Sequence, residues 1–413
     1  MRKTHNIILV THHFPPEVNG TATRAFEIAK RVIKKHPGIR LFVISPPPVR
    51  PFGKFQVDLR PLRIIKLSDN LYLIRVWSYQ PISPNPSVLE RLLNYIVFPI
   101  LAIPIIVGLG LFSRIIMFII PPSILTIIVP FIKPLRSKII VDITDLWHEE
   151  ARLLGYIKSR LLTAISRGAE LLALKLAHVI TVATYSIGKY YVYLLGNKKK
   201  RIYVLPTPID ELLVKKHRDA KTLSSSNTSD IIVYAGNFGK PQALDFAIKA
   251  FKILNERGVK VKLLLIGGGE EERSLKHLVN VLGVNNVEIR PPVPREELFS
   301  RIYPQASAGL LALSYVRALF YAIPTKMYEY IVCELPIVAY GSSIEVKHVI
   351  TKWRLGVYVT ENDPQKLAEA IMFLMNNKHL FIENIRKYAL YLTKQVYEVL
   401  DTIIYDKHRD ILT

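Results

Sequence analysis

The sequence predicts an α/β protein built from two consecutive doubly wound domains, and three observations carry that prediction. Short apolar runs alternate with amphipathic stretches, the alternation breaks around residues 206–208 and restarts, and glycine loops directly follow several of the apolar runs. Strands separated by helices imply parallel pairing in sheets covered on both faces. A chain of 413 residues also exceeds one ordinary core.

Residues 6–10 read as a buried strand, and His12, His13, Pro15 and Pro16 stop this apolar run too early for a cleavable signal. Residues 23–34 follow as an amphipathic helix. Ala25, Ile28, Ala29 and Val32 fall on one face, with Arg24, Lys30, Arg31 and Lys34 towards water. Asn19-Gly20-Thr21 opens that helix, with Thr21 or Thr23 as its N-cap. Residues 41–45, 115–119, 139–141 and 179–182 are further strands, the last preceded by a helix at 169–176. Residues 92–113 carry no charge and lie between Arg91 and Arg114, long enough for a membrane span. Pro99 and Pro104 interrupt them, so the first reading is a buried helix followed by a buried strand. A helix lying in the lipid interface is the alternative, and a true span comes last.

After the break, residues 231–234, 261–266, 287–290, 308–311 and 337–340 read as strands, and residues 243–255 and 271–282 as helices. Residues 223–229 form a polar Ser/Thr/Asn loop, and the chain from Pro364 is helical. The expected domains are residues 1–205 and 206–385, with a terminal helix at 386–413 packing back on the first.

Lys plus Arg number 56 against 33 Asp plus Glu, a formal charge of +23, which favours an anionic partner. Dispersed cations, with small clusters at 198–201 and 215–218, lack the aromatic interleaving of a nucleic-acid groove, so no nucleic acid is expected. Cys333 is the single cysteine, so no intrachain disulfide forms. No HExxH, cysteine cluster, GxSxG or Asp-x-Asp pair is present, and no metal cofactor is expected.

Tyr234-Ala235-Gly236-Asn237-Phe238-Gly239-Lys240 and Ile266-Gly267-Gly268-Gly269 each follow a strand and precede a helix. Ligands of open α/β sheets bind at such strand ends, where glycine lets backbone approach a phosphate. Neither loop has the Walker or dinucleotide spacing, so each read singly is a plain turn before it is a ligand site, and their recurrence with Lys240 beside the first sets the two readings level. Pro324-Thr325-Lys326-Met327-Tyr328-Glu329-Tyr330 sets Lys326 and Glu329 three apart at a helix start, with Thr325 able to cap. That arrangement is either an exposed ion pair or an anion site with a carboxylate for sugar hydroxyls. Asp142 and Asp145, just after a strand, are either reactive carboxylates or helix caps.

Taken in order, these segments resemble the retaining GT-B glycosyltransferases of family 4, especially its WbuB-like branch. Phe14-Pro15-Pro16-Glu17 through Gly20 is similar to the family's first acceptor-side loop, and Asp145-Leu146-Trp147 to its Asp-Leu-Trp-Pro element. The two glycine loops are similar to its donor-domain loops. Pro324 through Tyr330 with Pro336-Ile337-Val338-Ala339 is similar to its most specific signature. The resemblance implies two Rossmann-like domains facing across a cleft, a nucleotide-sugar donor on the C-terminal domain and an acceptor on the N-terminal one. It implies Lys240, Lys326 and Asp145 as catalytic residues, the lysines neutralising the departing diphosphate without a metal. Gly20, Gly236, Asn237, Gly239, Gly267, Gly268, Gly269, Val293, Thr325 and Glu329 would bind the donor, Val293 meeting the base through its backbone and Glu329 the ribose.

Four positions depart from the family pattern: Asn19, Thr144, Tyr321 and Glu334 stand where it carries Gly, His, Glu and Gly. A catalytically silent binding subunit is therefore the alternative function. The charge and the apolar segment suit a glycan or lipid-linked acceptor on an anionic membrane. The expected place is the cytoplasm, peripherally on the inner face of the cell membrane.

Overall fold

The structure, a computed structural model, describes residues 5–17, 19–83, 86–146, 160–196, 200–223, 230–316 and 319–405. Trp147, His148, Lys198, Lys199 and the Ser/Thr/Asn segment 224–229 lie outside the described residues. The chain divides into two compact units, Met1–Pro208 with Gln395–Thr413, and Ile209–Lys394.

The first unit holds an eight-stranded sheet in the order β3-β4-β2-β1-β5-β6-β7-β8. Its strands are β1 (His5–Thr11), β2 (Ile39–Ser45), β3 (Leu62–Ser68), β4 (Leu71–Val76), β5 (Ser113–Ile120), β6 (Lys138–Ile143), β7 (Val179–Val182) and β8 (Arg201–Val204). All neighbours are parallel except β3 against β4. The helices are α1 (Gly20–Lys35), α2 (Val88–Gly110), the short α3 (Val129–Ile132), α4 (Arg160–Leu176) and α5 (Tyr185–Leu194). The strand order reverses between β1 and β5, the switch point at which doubly wound sheets open towards ligands. Ala25, Ile28 and Ala29 of α1 pack on Ile7 and Leu9 of β1, because a two-sided parallel strand must bury both its faces.

Four expectations change here. Arg24 does not face water: it is 1 % exposed. Its Nε and Nη2 donate to the two oxygens of Asp142 at 2.7 and 2.8 Å, and Nη2 also to the Leu205 carbonyl at 2.7 Å. Burial of so costly a charge is matched by this bidentate partner. Arg31 is buried too, donating to Glu27 at 3.0 Å. The N-cap of α1 is Asn19, whose side chain accepts from Ala22 N at 2.8 Å, and neither Thr21 nor Thr23 caps. Helix α2 is not a buried helix. Only Asn94, Phe98, Pro99, Ala102, Ile106 and Gly110 are buried, while the strand after it, β5, is buried along nearly its whole length. The antiparallel edge of β3 and β4 was not expected at all.

The second unit holds six parallel strands in the order β11-β10-β9-β12-β13-β14. They are β9 (Asp230–Asn237), β10 (Val261–Gly268), β11 (Val287–Arg290), β12 (Ala308–Ala312), β13 (Ile337–Tyr340) and β14 (Gly356–Val359). Counted along the chain this is the 3-2-1-4-5-6 order of dinucleotide-binding folds, with its switch point between β9 and β12. The helices are α6 (Glu211–Leu223), α7 (Leu244–Glu256), α8 (Glu272–Leu282), α9 (Thr325–Val332), α10 (Ile344–Trp353), α11 (Pro364–Asn376) and α12 (His379–Tyr405). From Gln395 onward α12 belongs to the first unit, where Val396, Val399, Leu400 and Ile403 join the β1 core and Asp401 pairs with Lys35 at 2.7 Å.

Candidate functional site

In the second unit the two glycine loops are neighbours. Strands β9 and β10 pair Gly236 with Gly267 and Asn237 with Gly268, so both loops leave the sheet side by side. Phe238 N donates to Gly268 O at 2.9 Å, and Glu271 N donates to Phe238 O at 2.9 Å, stitching one loop to the other. Gly267 has φ +153°, and a Cβ there would fall 1.8 Å from the Gly236 carbonyl oxygen, so only glycine permits this approach. The Pro291–Pro294 segment joins the group: Pro292 lies against Gly268, and Val293 packs half-buried on the core.

Helix α9 supplies the charged groups. Its orientation is fixed by Tyr330, whose ring lies against Gly309 of β12 and whose hydroxyl donates to the carbonyls of Val233 and Leu310 at 3.1 and 3.2 Å. One turn earlier Lys326 reaches over β9. Its ammonium sits 4.3 Å from the Tyr234 ring centroid, donates to the Tyr234 hydroxyl at 3.2 Å, and lies 3.0 Å from where a Gly236 Cβ would be. Among the described residues no carboxylate pairs with Lys326. A half-buried ammonium at a helix N-terminus opposes the helix dipole, an arrangement that favours an anion beside it. Lys240 stands exposed at the exit of the first loop, its backbone N–H facing Glu270 Oε1 at 3.3 Å.

Glu329 does not form the i, i+3 ion pair with Lys326. It is buried, accepting from Arg295 Nε and from the Tyr303 hydroxyl, both at 2.8 Å. Burial and the Glu329 charge push the Tyr303 phenol well above its ordinary value, so it stays a donor. Thr325 is not a cap: Pro324 occupies the N-cap position, and no side chain caps α9. Arg295 and Tyr303 were missed in the sequence because their partner lies 34 and 26 residues away.

Gly20 and Asp145 belong to the first unit. Gly20 opens α1 at the carboxyl end of β1, and Asp145 follows β6, taking a 3.2 Å hydrogen bond from Thr144 Oγ1. Burial raises the Asp145 carboxyl above its usual range. Asp142, with Arg24 on both oxygens and Thr181 Oγ1 donating at 2.6 Å, is a strut rather than a reactive group. Sequence reading also missed a buried cluster beside Gly20. His13 Nδ1 meets Glu17 Oε2 at 2.6 Å, while Glu17 Oε1 accepts from the N–H groups of Val49 and Arg50 at 2.7 and 3.0 Å. His12 Nε2 meets Asn94 Oδ1 at 2.9 Å. Burial lowers both histidines, His12 to about 3, so this edge is uncharged on its histidines at neutral pH.

The departure at Glu334 has a structural meaning. Its φ is +56°, the left-handed region where glycine is at ease. The carboxylate compensates by pairing with Arg386 at 2.9 Å and Lys221 at 3.6 Å, which hold it below the usual range against its burial.

Comparison with known proteins follows the same division. Residues 215–390 match the family described as glycosyl transferases group 1. An uncharacterized glycosyltransferase of Haemophilus influenzae is 25 % identical over 153 residues, 37 % of this chain and 41 % of the relative. The match thus spans less than half of that relative. Sucrose-phosphate synthase of Thermosynechococcus elongatus superposes with a TM-score of 0.70 at 14 % identity, covering 97 % of this chain and 98 % of the other. HepE of Anabaena in complex with UDP-glucose gives 0.62 at 13 % identity, covering 97 % and 98 %. The chain therefore has the two-domain GT-B fold, and the part of it that matches the glycosyl transferases group 1 model, residues 215–390, lies within the second unit.

Proposed function

We propose that this chain moves a hexosyl group from a nucleotide-activated sugar to a membrane-borne glycan, with retention of configuration and without a metal. The observation that carries the reading is the ammonium of Lys326, which has no carboxylate partner among the described residues, held over the Gly236 loop at the switch point of the second sheet. A donor diphosphate placed there would meet Lys326, the exposed Lys240 and backbone N–H groups freed of side chains at Gly236, Gly239, Gly267, Gly268 and Gly269. These charges would stabilise the diphosphate as the C1–O bond breaks, the work a metal does in other transferases. The new bond from the acceptor oxygen would form on the same face, and the acceptor proton would pass to the departing phosphate oxygen.

Glu329 would take the ribose hydroxyls, since each of its oxygens has one protein partner and a further acceptor site. Asn237 and Thr325 would line the sugar and phosphates, and the Val293 backbone would meet the base. HepE supports a nucleotide-sugar donor, as it was solved with UDP-glucose. The first unit would take the acceptor, with Gly20 offering its N–H to the donor phosphate and Asp145, its carboxyl raised by burial, serving as a catalytic residue. The +23 charge suits an acceptor displayed on the inner, anionic face of the cell membrane.

Incubation with radiolabelled nucleotide sugars and membrane extracts, followed by anomeric analysis of the product, tests this reading. The expected result is a labelled glycan with the donor's anomeric configuration, formed in chelator. An inverted product would overturn retention. Nucleoside diphosphate binding without turnover on any donor would favour the silent subunit, which the Tyr321 and Thr144 departures suggest.

A further inference from the structure

We infer that the outward face of α2 is a docking surface for an anionic lipid bilayer, lying in the interface rather than crossing it. The inference deepens the membrane-borne acceptor proposed above, but it stands on a separate part of the first unit. Helix α2 is long and apolar enough to cross a membrane, with a mean hydropathy of 2.3 over its central window, of which 28 % is buried. Leu89, Leu93, Ile100 and Leu101 of α2, with Leu111 and Phe112 in the turn just beyond its end, stand 37 to 77 % exposed. Exposed apolar side chains gathered in one segment, rather than scattered singly, mark an interaction site. Phe131 of α3, which packs beside α2, extends it with a 59 % exposed ring.

Charge selects the occupant. Between residues 86 and 141 the chain has one carboxylate, Glu90, against Arg91, Arg114, Lys133, Arg136 and Lys138. Glu90 is engaged in the capping box with Ser87. Arg91 stands exposed at the start of α2, its guanidinium over Phe52. Arg114, Lys133 and Arg136 are exposed near its end, where Leu135 packs against Gly110. An apolar stripe flanked at both ends by cations fits a surface of hydrocarbon beneath anionic headgroups.

The opposite face keeps the helix from spanning. Phe98, Ala102 and Ile106 are buried, and Asn94 donates to the Tyr79 carbonyl at 2.7 Å while its own carbonyl accepts from Ser78 at 2.9 Å. Pro99 and Pro104 lie inside α2 and carry no N–H, so neither position can donate the hydrogen bond of a continuous helix.

Vesicle flotation of the full chain provides the test, independent of any transfer. Wild type should float with phosphatidylcholine vesicles containing phosphatidylglycerol at low salt and be released at about 0.5 M salt. The Leu101→Glu/Leu111→Glu double variant, with an unchanged thermal melt, should partition at least about tenfold less. Arg114→Glu/Arg136→Glu should lose the preference for anionic over neutral vesicles. Wild type left unbound at low salt, or the leucine variant floating like wild type, overturns the surface. So does a wild-type dimer in sedimentation that the leucine substitutions dissociate, with no vesicle binding. Resistance to carbonate extraction overturns the interfacial mode. Failure here leaves nucleoside diphosphate binding and sugar transfer by the second unit untouched, and their failure leaves vesicle binding untouched, so the two readings fall separately.

Discussion

The two sheets share a 3-2-1-4-5-6 core of parallel strands, and their carboxyl edges differ in how they treat charge. In the first unit, ionisable groups satisfy one another: Arg24 with Asp142, and His13 with Glu17. In the second, Lys326 has no carboxylate partner among the described residues and lies over a stretch of bare backbone. The difference teaches that a fold provides the place and unpaired charge decides the ligand. An edge whose charges are internally matched suits a neutral, hydroxyl-rich molecule, and an edge with spare positive charge suits a diphosphate.

Breaking the first edge should cost the most. Arg24→Ala leaves Asp142 buried and unpaired, and should destabilise the first unit by about 3–5 kcal/mol in chemical denaturation. A variant as stable as wild type would show that the strut is dispensable.

Acid sharpens the same contrast. The folded chain keeps His12 neutral down to about pH 3, whereas an unfolded histidine takes up a proton below about 6.5. The unfolded state then binds more protons, so stability is full above pH about 6.5 and falls as pH drops. At pH about 5 the expected loss from His12 is about 2 kcal/mol, read as a falling melting temperature that His12→Gln flattens. Equal slopes in both proteins would contradict it.

Much of this architecture was legible, and what was not has a physical reason. Strands β7 and β13 were placed to the residue because a strand covered on both faces is a short continuous apolar run, and β11 because Val287 and Ile289 alternate with the exposed Glu288 and Arg290. Strand β3 carries Arg63 and Lys66 and is mostly exposed, so nothing in its pattern separates it from a loop. The burial of Arg24 depends on a partner 118 residues away, which periodicity cannot report. Both glycine loops, Lys326 and Glu329 stand out as candidates in the local sequence, because each sits where a strand ends or a helix begins. The Arg295 and Tyr303 contacts to Glu329 arise only when distant loops meet. The outward stripe of α2 was hidden because the helix is apolar all round, and composition gives no direction.

On the second edge, Glu329→Ala should weaken donor binding or turnover at least about tenfold, or about 1.4 kcal/mol. Arg295→Gln, which acts through Glu329, should raise KM by about threefold with kcat kept. Its effect should vanish with a 2′-deoxyribose donor. An equal effect on both donors would make Arg295 merely structural. The smallest change is expected at Glu334. Glu334→Gly relieves about 1 kcal/mol of left-handed strain and gives up a partly exposed ion pair of similar or smaller worth. A net shift beyond about 1 kcal/mol in either direction would show that the two terms do not offset.

The account rests on Lys326, and calorimetry with uridine and adenosine diphosphates in chelator tests it most directly. Wild type should release heat with at least one of the two, and Lys326→Ala, folded by its thermal melt, should bind that nucleotide at least about tenfold more weakly. Equal affinity in both proteins, or no binding of either nucleotide to wild type, would contradict the assignment of this edge to a diphosphate.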